Sequence, residues 1–241
     1  MELCPVKNKV KGIYICGMFG HNGLMRRTSK GSSSATAGRR IKKRAYHHGD
    51  LKAAMVEAAL KLIAKHGPRG FSLSEAAGLA GVSVGAPYRH FADKEALFSE
   101  IAAQGFVELV ERIEAAAKTS ADDPRQRLVA IGMAYVRFAV ERPSHFQVMF
   151  DSAIHRRKDP ALAISADRAF QLLAETVHEA AAKKDVRSEE ALTAAAWALM
   201  HGHAMFAMDD SFTNMEFKTP ADTLVRDSFD LLVETPALRS H

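Results

Sequence analysis

The chain has 241 residues, of which 47% are hydrophobic and 25% are charged. These proportions are typical of a folded globular protein and exclude a wholly disordered chain, a collagen and a small disulfide scaffold. Both cysteines, Cys4 and Cys16, lie near the start of the chain. The remaining residues therefore cannot form a disulfide bond or a thiolate metal site. We expect no cofactor, no metal and a reducing, cytoplasmic location.

The net charge of +5 is distributed unevenly along the chain. Residues 1–45 carry 11 Lys or Arg residues and one acidic residue, Glu2, whereas residues 99–241 carry 16 basic and 22 acidic residues. A basic start on an acidic body favours a polyanionic partner at the N-terminal side. A solubilising tail is the alternative interpretation of the same charges.

Residues 1–45 are predicted to be a disordered basic extension. Gly, Ser and basic residues dominate residues 26–44, which lack the apolar side chains needed to form a core. The apolar run at residues 13–19 is too short for a signal peptide and has no clear cleavage site after it. Translation from Met25 is the alternative to an extension that starts at Met1.

Apolar residues recur with helical spacing from residue 50 onwards, and helix start and stop residues bound each stretch. Asp-Pro and Thr-Pro pairs predict several helix starts, because proline suits the first helical position. No stretch alternates as a strand would. We therefore predict an all-α protein with helices over residues 50–66, 73–80, 84–91, 94–119, 124–142, 144–151, 160–184, 189–208 and 220–234.

Residues 71–91 have the composition of a helix-turn-helix, in which two short helices meet at a tight turn. Small residues predict the close approach of the helices, at Ala76, Ala77, Ala80 and Gly81. Apolar anchors are expected at Leu73, Leu79, Val82 and Phe91. Polar side chains that extend from the second helix or follow it are Tyr88, Arg89, His90 and Lys94. The alternative is that these polar residues are ordinary packing or solvated surface.

Residues 71–98, FSLSEAAGLAGVSVGAPYRHFADKEALF, resemble the DNA-binding domain of the TetR (tetracycline-repressor-like) regulators. The resemblance implies an N-terminal three-helix helix-turn-helix domain over residues 46–106. It implies that the start of the recognition helix faces the major groove, at Ser83, Val84, Gly85 and Ala86. It also implies contacts to the phosphate backbone from Ser72, Tyr88, His90 and Lys94, beside the exposed Arg89.

One dipeptide, Ala86-Pro87, departs from the family pattern, in which many members carry threonine and an aliphatic residue. Alanine cannot hydrogen-bond to a base edge, but its methyl group can contact a thymine methyl. The basic residues before the first helix add a second expectation. The extension should contribute affinity that depends on salt and not on sequence.

Residues 191–208 contain no Asp, Glu, Lys or Arg. Two histidines, a threonine, a glycine and many alanines argue against a membrane span. A helix that is apolar on all sides more often lies inside a protein. Together with the last helix, it predicts the four-helix seam of a homodimer.

Trp197, His201 and Gly202 resemble the WHG subgroup of TetR-type C-terminal domains. The resemblance implies that residues 107–241 form a larger helical domain for effector binding and dimerisation. Aromatic residues and methionines are candidates to line a cavity for a small, mostly apolar effector, although such residues are also typical of plain core. The candidates are Tyr135, Phe138, Phe146, Met149, Phe150, Phe170, Trp197, Met200, His201, Met205 and Phe206.

The resemblance to TetR regulators implies a transcriptional regulator, expected to be a repressor, whose homodimer binds a palindromic operator and is released by an effector. Activation and a ligand-free architectural DNA binder are the alternatives. An enzyme is not expected, because the chain has no glycine-rich phosphate loop, no G-x-S-x-G and no H-E-x-x-H motif.

Overall fold

A computed structural model of the protein describes residues 51–120, 123–151, 159–181, 188–209 and 211–234. Within these ranges the chain forms helices and no strand, which confirms the all-α class. The predicted extension over residues 1–45 lies outside the described residues, as does Met25. The helices are α1 (Leu51–His66), α2 (Leu73–Ala80), a 3₁₀ helix (Pro87–Arg89), α3 (Lys94–Thr119), α4 (Pro124–Glu141), α5 (Pro143–Met149), α6 (Pro160–Ala181), α7 (Glu189–Met208), α8 (Ser211–Asn214) and α9 (Ala221–Glu234).

Polar caps explain why α3 and α7 begin at the residues predicted for them. The carboxylate of Asp93 accepts a hydrogen bond from the backbone N–H of Ala96 at 2.8 Å. The hydroxyl oxygen of Ser188 accepts one from the N–H of Ala191 at 3.2 Å. These bonds satisfy backbone donors that the first turn of a helix leaves unpaired.

Most other helices agree with the prediction to within two residues at each end. The difference is largest at α5, predicted over residues 144–151, because Pro143 begins it and Met149 ends it. α6 is described as far as Ala181. α8 (Ser211–Asn214) was not predicted, because four residues are too few to show helical periodicity.

The segment predicted as a helix over residues 84–91 is not an α-helix. It forms turns and the 3₁₀ helix instead, and Pro87 is the physical reason. If Ser83 capped an α-helix, residue 87 would be the first to donate to its carbonyl, but proline has no N–H. That carbonyl instead accepts from the N–H of Ala86 at 2.9 Å, the tighter spacing of a 3₁₀ turn.

The core lies between α3 and the helices that surround it, with Phe138, Phe146 and Phe229 among its largest fully buried side chains. Glycine allows one of the closest helix contacts. A Cβ atom on Gly132 of α4 would overlap the ring of Phe229 on α9. The pair therefore sets how near α9 lies to the body.

Charged groups join α3 to the turn between α4 and α5. Glu108 of α3 accepts hydrogen bonds from Arg112 at 2.6 Å and from Arg142 at 3.1 Å. Arg112 also donates to Glu141 at 2.6 Å. Burial acts to raise the pKa of Glu108, but the two arginines outweigh it and the pKa is lowered. The carboxylate therefore stays charged and holds the corner together.

Candidate nucleic-acid interface and effector region

The segment before α2 is held by a reciprocal pair of hydrogen bonds. The hydroxyl oxygen of Ser72 accepts from the N–H of Glu75 at 3.2 Å, and the carboxylate of Glu75 accepts from the N–H of Ser72 at 2.7 Å. This arrangement is a capping box. The backbone hydrogen bond from Ser72, followed by its hydroxyl bond, lowers the pKa of Glu75. The carboxylate is therefore ionised at neutral pH, which suits the positive end of a helix.

The turn after α2 is a Schellman motif. Gly81 has a φ of 76°, in the left-handed region that glycine adopts without steric cost. Its N–H donates to the carbonyl of Gly78, and the N–H of Val82 donates to the carbonyl of Ala77, both at 3.1 Å. This pattern stops α2 at a fixed point and sets the direction in which the chain enters the next segment.

Buried alanines bring α2 close to α1, as the sequence predicts. Ala76 and Ala77 are 0% exposed, and Leu73 and Phe91 are also buried. The prediction of Leu79 as an apolar anchor is wrong, because its side chain is 53% exposed. The buried positions of α2 recur at three- and four-residue spacing, and residue 79 lies outside that stripe.

Most of the residues predicted to contact DNA are exposed to solvent. Val84 and Tyr88 are each 57% exposed, whereas Ala86 and Lys94 are partly buried. Their roles in DNA binding stay predictions. The exposed residues are Ser72, Ser83, Val84, Gly85, Tyr88, Arg89 and His90.

The ammonium group of Lys94 is already bound within the protein. It donates to the carbonyl of Phe71 at 2.5 Å and lies 4.0 Å from the centre of the Phe71 ring. The ring of Phe98 is 5.2 Å away. Burial is the main cause that lowers the pKa of Lys94. The side chain thus joins the start of α3 to the segment before α2, and a phosphate would compete with that contact.

Four aromatic side chains predicted to line an effector cavity do come together in the body. The hydroxyl of Tyr135 on α4 lies 3.0 Å from Nδ1 of His201 on α7. The ring of Phe146 stacks on His201 with 5.5 Å between centres, and Phe150 meets it edge-on at 4.7 Å. We call these four residues the aromatic cluster. Phe106, which was not among the predicted residues, contacts Phe150 at 5.9 Å.

The other predicted cavity residues lie elsewhere. Phe170 of α6 and Trp197 of α7 form a separate edge-on pair at 5.9 Å. Met205 and Phe206 are exposed at the end of α7. The three remaining residues are buried in the core: Phe138, Met149 and Met200. Tyr135 and Phe146 are buried as well, and they pack against Phe150 and His201, which are partly exposed.

An open groove of about 660 Å³ lies between the end of α3, α4 and α9. None of the predicted effector residues lines it. Small side chains and methionine form most of its apolar lining, and charged groups come from Arg137, Arg226 and Asp230. Helical spacing did not reveal it, because α3, α4 and α9 meet only in the folded chain. The other lining residues are Ala115, Ala116, Thr119, Ser120, Gln126, Val129, Ala130, Met133 and Ala134.

His203 differs from His201 on the same helix. Both of its ring nitrogens are shielded from solvent and have no hydrogen-bond partner in the described part of the chain. Its ring stacks on Phe212 of α8 with 5.6 Å between centres. Burial lowers the pKa of His203. No three His, Cys, Asp or Glu side chains within the described ranges are placed to hold a metal ion.

Comparison with protein families matches both parts of this arrangement. Residues 55–101 match the family described as bacterial regulatory proteins, tetR family. Residues 128–235 match the tetracyclin repressor-like C-terminal domain, a match that includes Trp197, His201 and Gly202. The chain belongs to the TetR family. It is accordingly a DNA-binding regulator with an N-terminal helix-turn-helix, and proteins of this family are generally not enzymes.

Solved structures share the TetR fold along most of the chain. A protein of unknown function from Rhodococcus sp. RHA1 is 28% identical, with a TM-score of 0.66, and covers 79% of this chain and 97% of its own. The TetR regulator PfmR from Thermus thermophilus is 20% identical, with a TM-score of 0.60, and covers 76% of this chain and 98% of its own. FadR from Bacillus subtilis, solved with stearoyl-CoA, is 17% identical, with a TM-score of 0.61, and covers 76% of this chain and 97% of its own. No curated protein matches the chain.

No helix in the described ranges combines the length and hydropathy that a membrane span requires. α7 instead buries Ala196, Met200 and Ala204 against its own body. The predicted domain boundary between residues 106 and 107 falls inside α3, so the division into two domains stays a prediction.

Because Lys94 is bonded to Phe71, we predict that it stabilises the TetR DNA-binding domain and contributes little to phosphate binding. Lys94→Met should lower the melting temperature, because the Phe71 carbonyl loses its charged donor. The slope of log K against log salt for a random-sequence duplex should stay the same. Arg89→Met is the matched comparison, because Arg89 is exposed and has no ion pair among the described residues. It should keep the melting temperature and flatten the slope by about one for each lost phosphate contact. A flatter slope for Lys94→Met at unchanged melting temperature would contradict this role.

Burial of His203 predicts that acid weakens the body. Its folded-state pKa lies below 6.5, so the unfolded chain takes up the proton first as the pH falls. Stability should decrease as the pH falls through about 6.5 and level off below the folded-state pKa. His203→Phe should reduce this decrease in urea unfolding measured from pH 8 to 5. Part of the loss of stability at low pH should remain, because burial also lowers the pKa of His145. His178→Gln is the control with the opposite sign, because Glu189 raises the pKa of His178. An identical pH profile for His203→Phe and wild type would contradict the prediction.

Proposed function

We propose that this protein is a transcriptional repressor whose homodimer binds a palindromic operator and is released by a small-molecule effector. The DNA-binding part of this proposal rests on one observation: α2 is capped and is followed by a fixed turn and an exposed segment at residues 83–90. The same residues lie inside the match to the tetR family. Binding to chromosomal DNA implies a cytoplasmic protein, and we assign no catalytic step to it.

The homodimer proposal is supported by the outward face of α7. Ala194, Ala195 and Ala198 are exposed, and an added Cβ on Gly202 would meet no atom within 4 Å beyond its chain neighbours and the nearby backbone of α7. Small, uncharged side chains allow two helices to approach closely. On α9, Leu231 is 65% exposed. Two copies of α7 and α9 would bury these surfaces in one self-complementary seam, as in a symmetric dimer.

We call residues 83–90 the reading segment. A symmetric dimer carries two reading segments related by a two-fold axis. Such a dimer matches two half-sites whose centres lie one helical turn of DNA apart, about 34 Å, or a multiple of that distance. The operator should therefore be a palindrome. The N-terminal extension, residues 1–45, would add phosphate contacts beside each half-site.

The effector half of the proposal is supported by the aromatic cluster and by α5. Within a packed apolar body, the Tyr135–His201 pair is a polar point that a ligand can use for orientation. α5 supplies Phe146 to this cluster and also touches the DNA-binding side, because the hydroxyl of Ser144 donates to the carbonyl of Leu60 on α1 at 3.3 Å. Met149 of α5 packs against Gly105 of α3. A ligand that moves α5 would therefore move both helices that hold the reading segment.

Selection of operators from a random duplex pool with the full-length chain tests the DNA-binding half. We expect one enriched palindrome, bound at two protein chains per duplex in analytical ultracentrifugation. Tyr88→Ala and Arg89→Ala should weaken binding, whereas Val140→Ala should leave it unchanged, because Val140 is 49% exposed on α4 and outside the reading segment. Enrichment of single half-sites bound by one chain would contradict the dimer. No enrichment would contradict the function.

Stearoyl-CoA is the first effector to test, because FadR from Bacillus subtilis was solved with it. We expect it to weaken operator binding by the wild-type chain. Tyr135→Phe and His201→Ala should reduce this release while they leave DNA affinity intact. Ala134→Trp, which fills the groove between α4 and α9, is the matched control and should release as wild type does. If only Ala134→Trp blocks release, the effector binds in the groove and the cluster is structural. If stearoyl-CoA leaves wild-type binding unchanged, stearoyl-CoA is excluded as the effector.

A further inference from the structure

Residues 84–87 present no side-chain hydrogen-bond donor or acceptor. Their sequence is Val-Gly-Ala-Pro, so the side chains are an isopropyl group, a hydrogen, a methyl group and a ring. Sequence-specific contacts in the major groove usually use Arg, Lys, Asn or Gln on base edges. This segment lacks them. The apolar group that a base pair presents in the major groove is the C5 methyl of thymine.

Only one of these four residues keeps an apolar side chain largely in water. Val84 is 57% exposed, whereas Pro87 is buried and Ala86 is partly buried. Gly85 has no side chain, and apart from its two chain neighbours no residue has an atom within 4 Å of the position that its Cβ would take. Approach to Val84 from that side is therefore open. The apolar contact first expected of Ala86 moves to Val84.

The backbone around Val84 is already fixed. The turn before it is closed by the hydrogen bonds of Gly81 and Val82, and Ser83 accepts from Ala86 across it at 2.9 Å. A side chain on an ordered turn loses little conformational freedom when it binds, so most of the gain from burying it is kept. Burial of an exposed isopropyl group against a methyl group is itself favourable.

We propose that Val84 determines base preference by packing its isopropyl group against the C5 methyl of a thymine in the operator. This inference rests on the proposed DNA-binding function and deepens it. It predicts an A·T pair at the position opposite Val84 in each half-site. The polar residues around it, Ser83 and Tyr88–His90, are left to hold the sugar-phosphate backbone or neighbouring bases.

The test removes the methyl group from the DNA and not from the protein. In the operator selected above, each thymine of one half-site and its symmetry mate is replaced in turn by deoxyuridine. Deoxyuridine keeps the hydrogen-bonding pattern of thymine and lacks only the methyl group. We expect one position at which wild-type binding weakens roughly threefold to tenfold for each methyl lost. At that position, a cytosine–guanine pair with 5-methylcytosine should bind better than the same pair without the methyl.

Val84→Ala links the effect to the residue. This variant should bind the thymine and deoxyuridine operators almost equally at that position, because the contact is gone from the protein side. Val140→Ala, an exposed valine outside the reading segment, should keep the full difference. Melting temperatures of both variants should match wild type, because neither side chain is buried.

The outcomes separate this inference from the proposed function. An operator that is enriched but insensitive to deoxyuridine at every position overturns the role of Val84 and leaves DNA recognition standing. Equal sensitivity in wild type and Val84→Ala overturns it as well, because the methyl then contacts another residue. Failure to enrich any operator overturns both proposals.

Discussion

The DNA-binding side of the molecule depends on the way Lys94 joins the start of α3 to the chain before α2. Its ammonium group donates to the carbonyl of Phe71 and lies over the Phe71 ring. A charged hydrogen bond of this kind contributes about 1.5–3 kcal/mol, and a partly desolvated cation over an aromatic ring adds about 0.5–2 kcal/mol. These energies are large enough to matter in a protein of ordinary stability. These interactions hold Phe71, which is next to the capping box, against Lys94 at the start of α3. One side chain therefore restrains both ends of the stretch from α2 to α3 that contains the reading segment.

α5 also links the DNA-binding helices to the rest of the molecule. It is only seven residues long, yet it contacts α1 through Ser144, α3 through Met149 and the aromatic cluster through Phe146. Such a short helix has little stability of its own and follows the helices that it packs on. The charged corner of Glu108, Arg112 and Arg142 fixes where it begins. A change in the cluster can therefore be passed to α1 and α3 without passing along the whole length of α3.

The sequence predicted those features that depend on local chemistry. Caps placed the starts of α3 and α7 to the residue, because Asp93 and Ser188 make the bonds that their type predicts. Features that depend on competition between neighbouring residues, or on contacts between segments far apart in the sequence, were not predictable. Pro87 changed a helix into a 3₁₀ turn because its missing N–H mattered more than the cap before it. The groove and the partners of Lys94 arise where distant segments meet, and spacing along the chain does not record such meetings. The aromatic cluster was predicted in part, because aromatic spacing shows which faces are apolar and not which faces touch.

The end of α5 places the aromatic cluster next in the chain to a charge that acts on Lys94. Phe150 is the member of the aromatic cluster that is partly exposed together with His201, whereas Tyr135 and Phe146 are buried. The next residue, Asp151, acts through its charge to raise the pKa of Lys94, although burial has the larger, opposite effect. A ligand can enter a packed cluster most easily where a side chain is already partly exposed, because the least buried surface has to be displaced there. Displacement of Phe150 would move the neighbouring carboxylate relative to the ammonium group of Lys94. A ligand would then shift DNA affinity only to the extent that it binds the displaced arrangement better than the packed one.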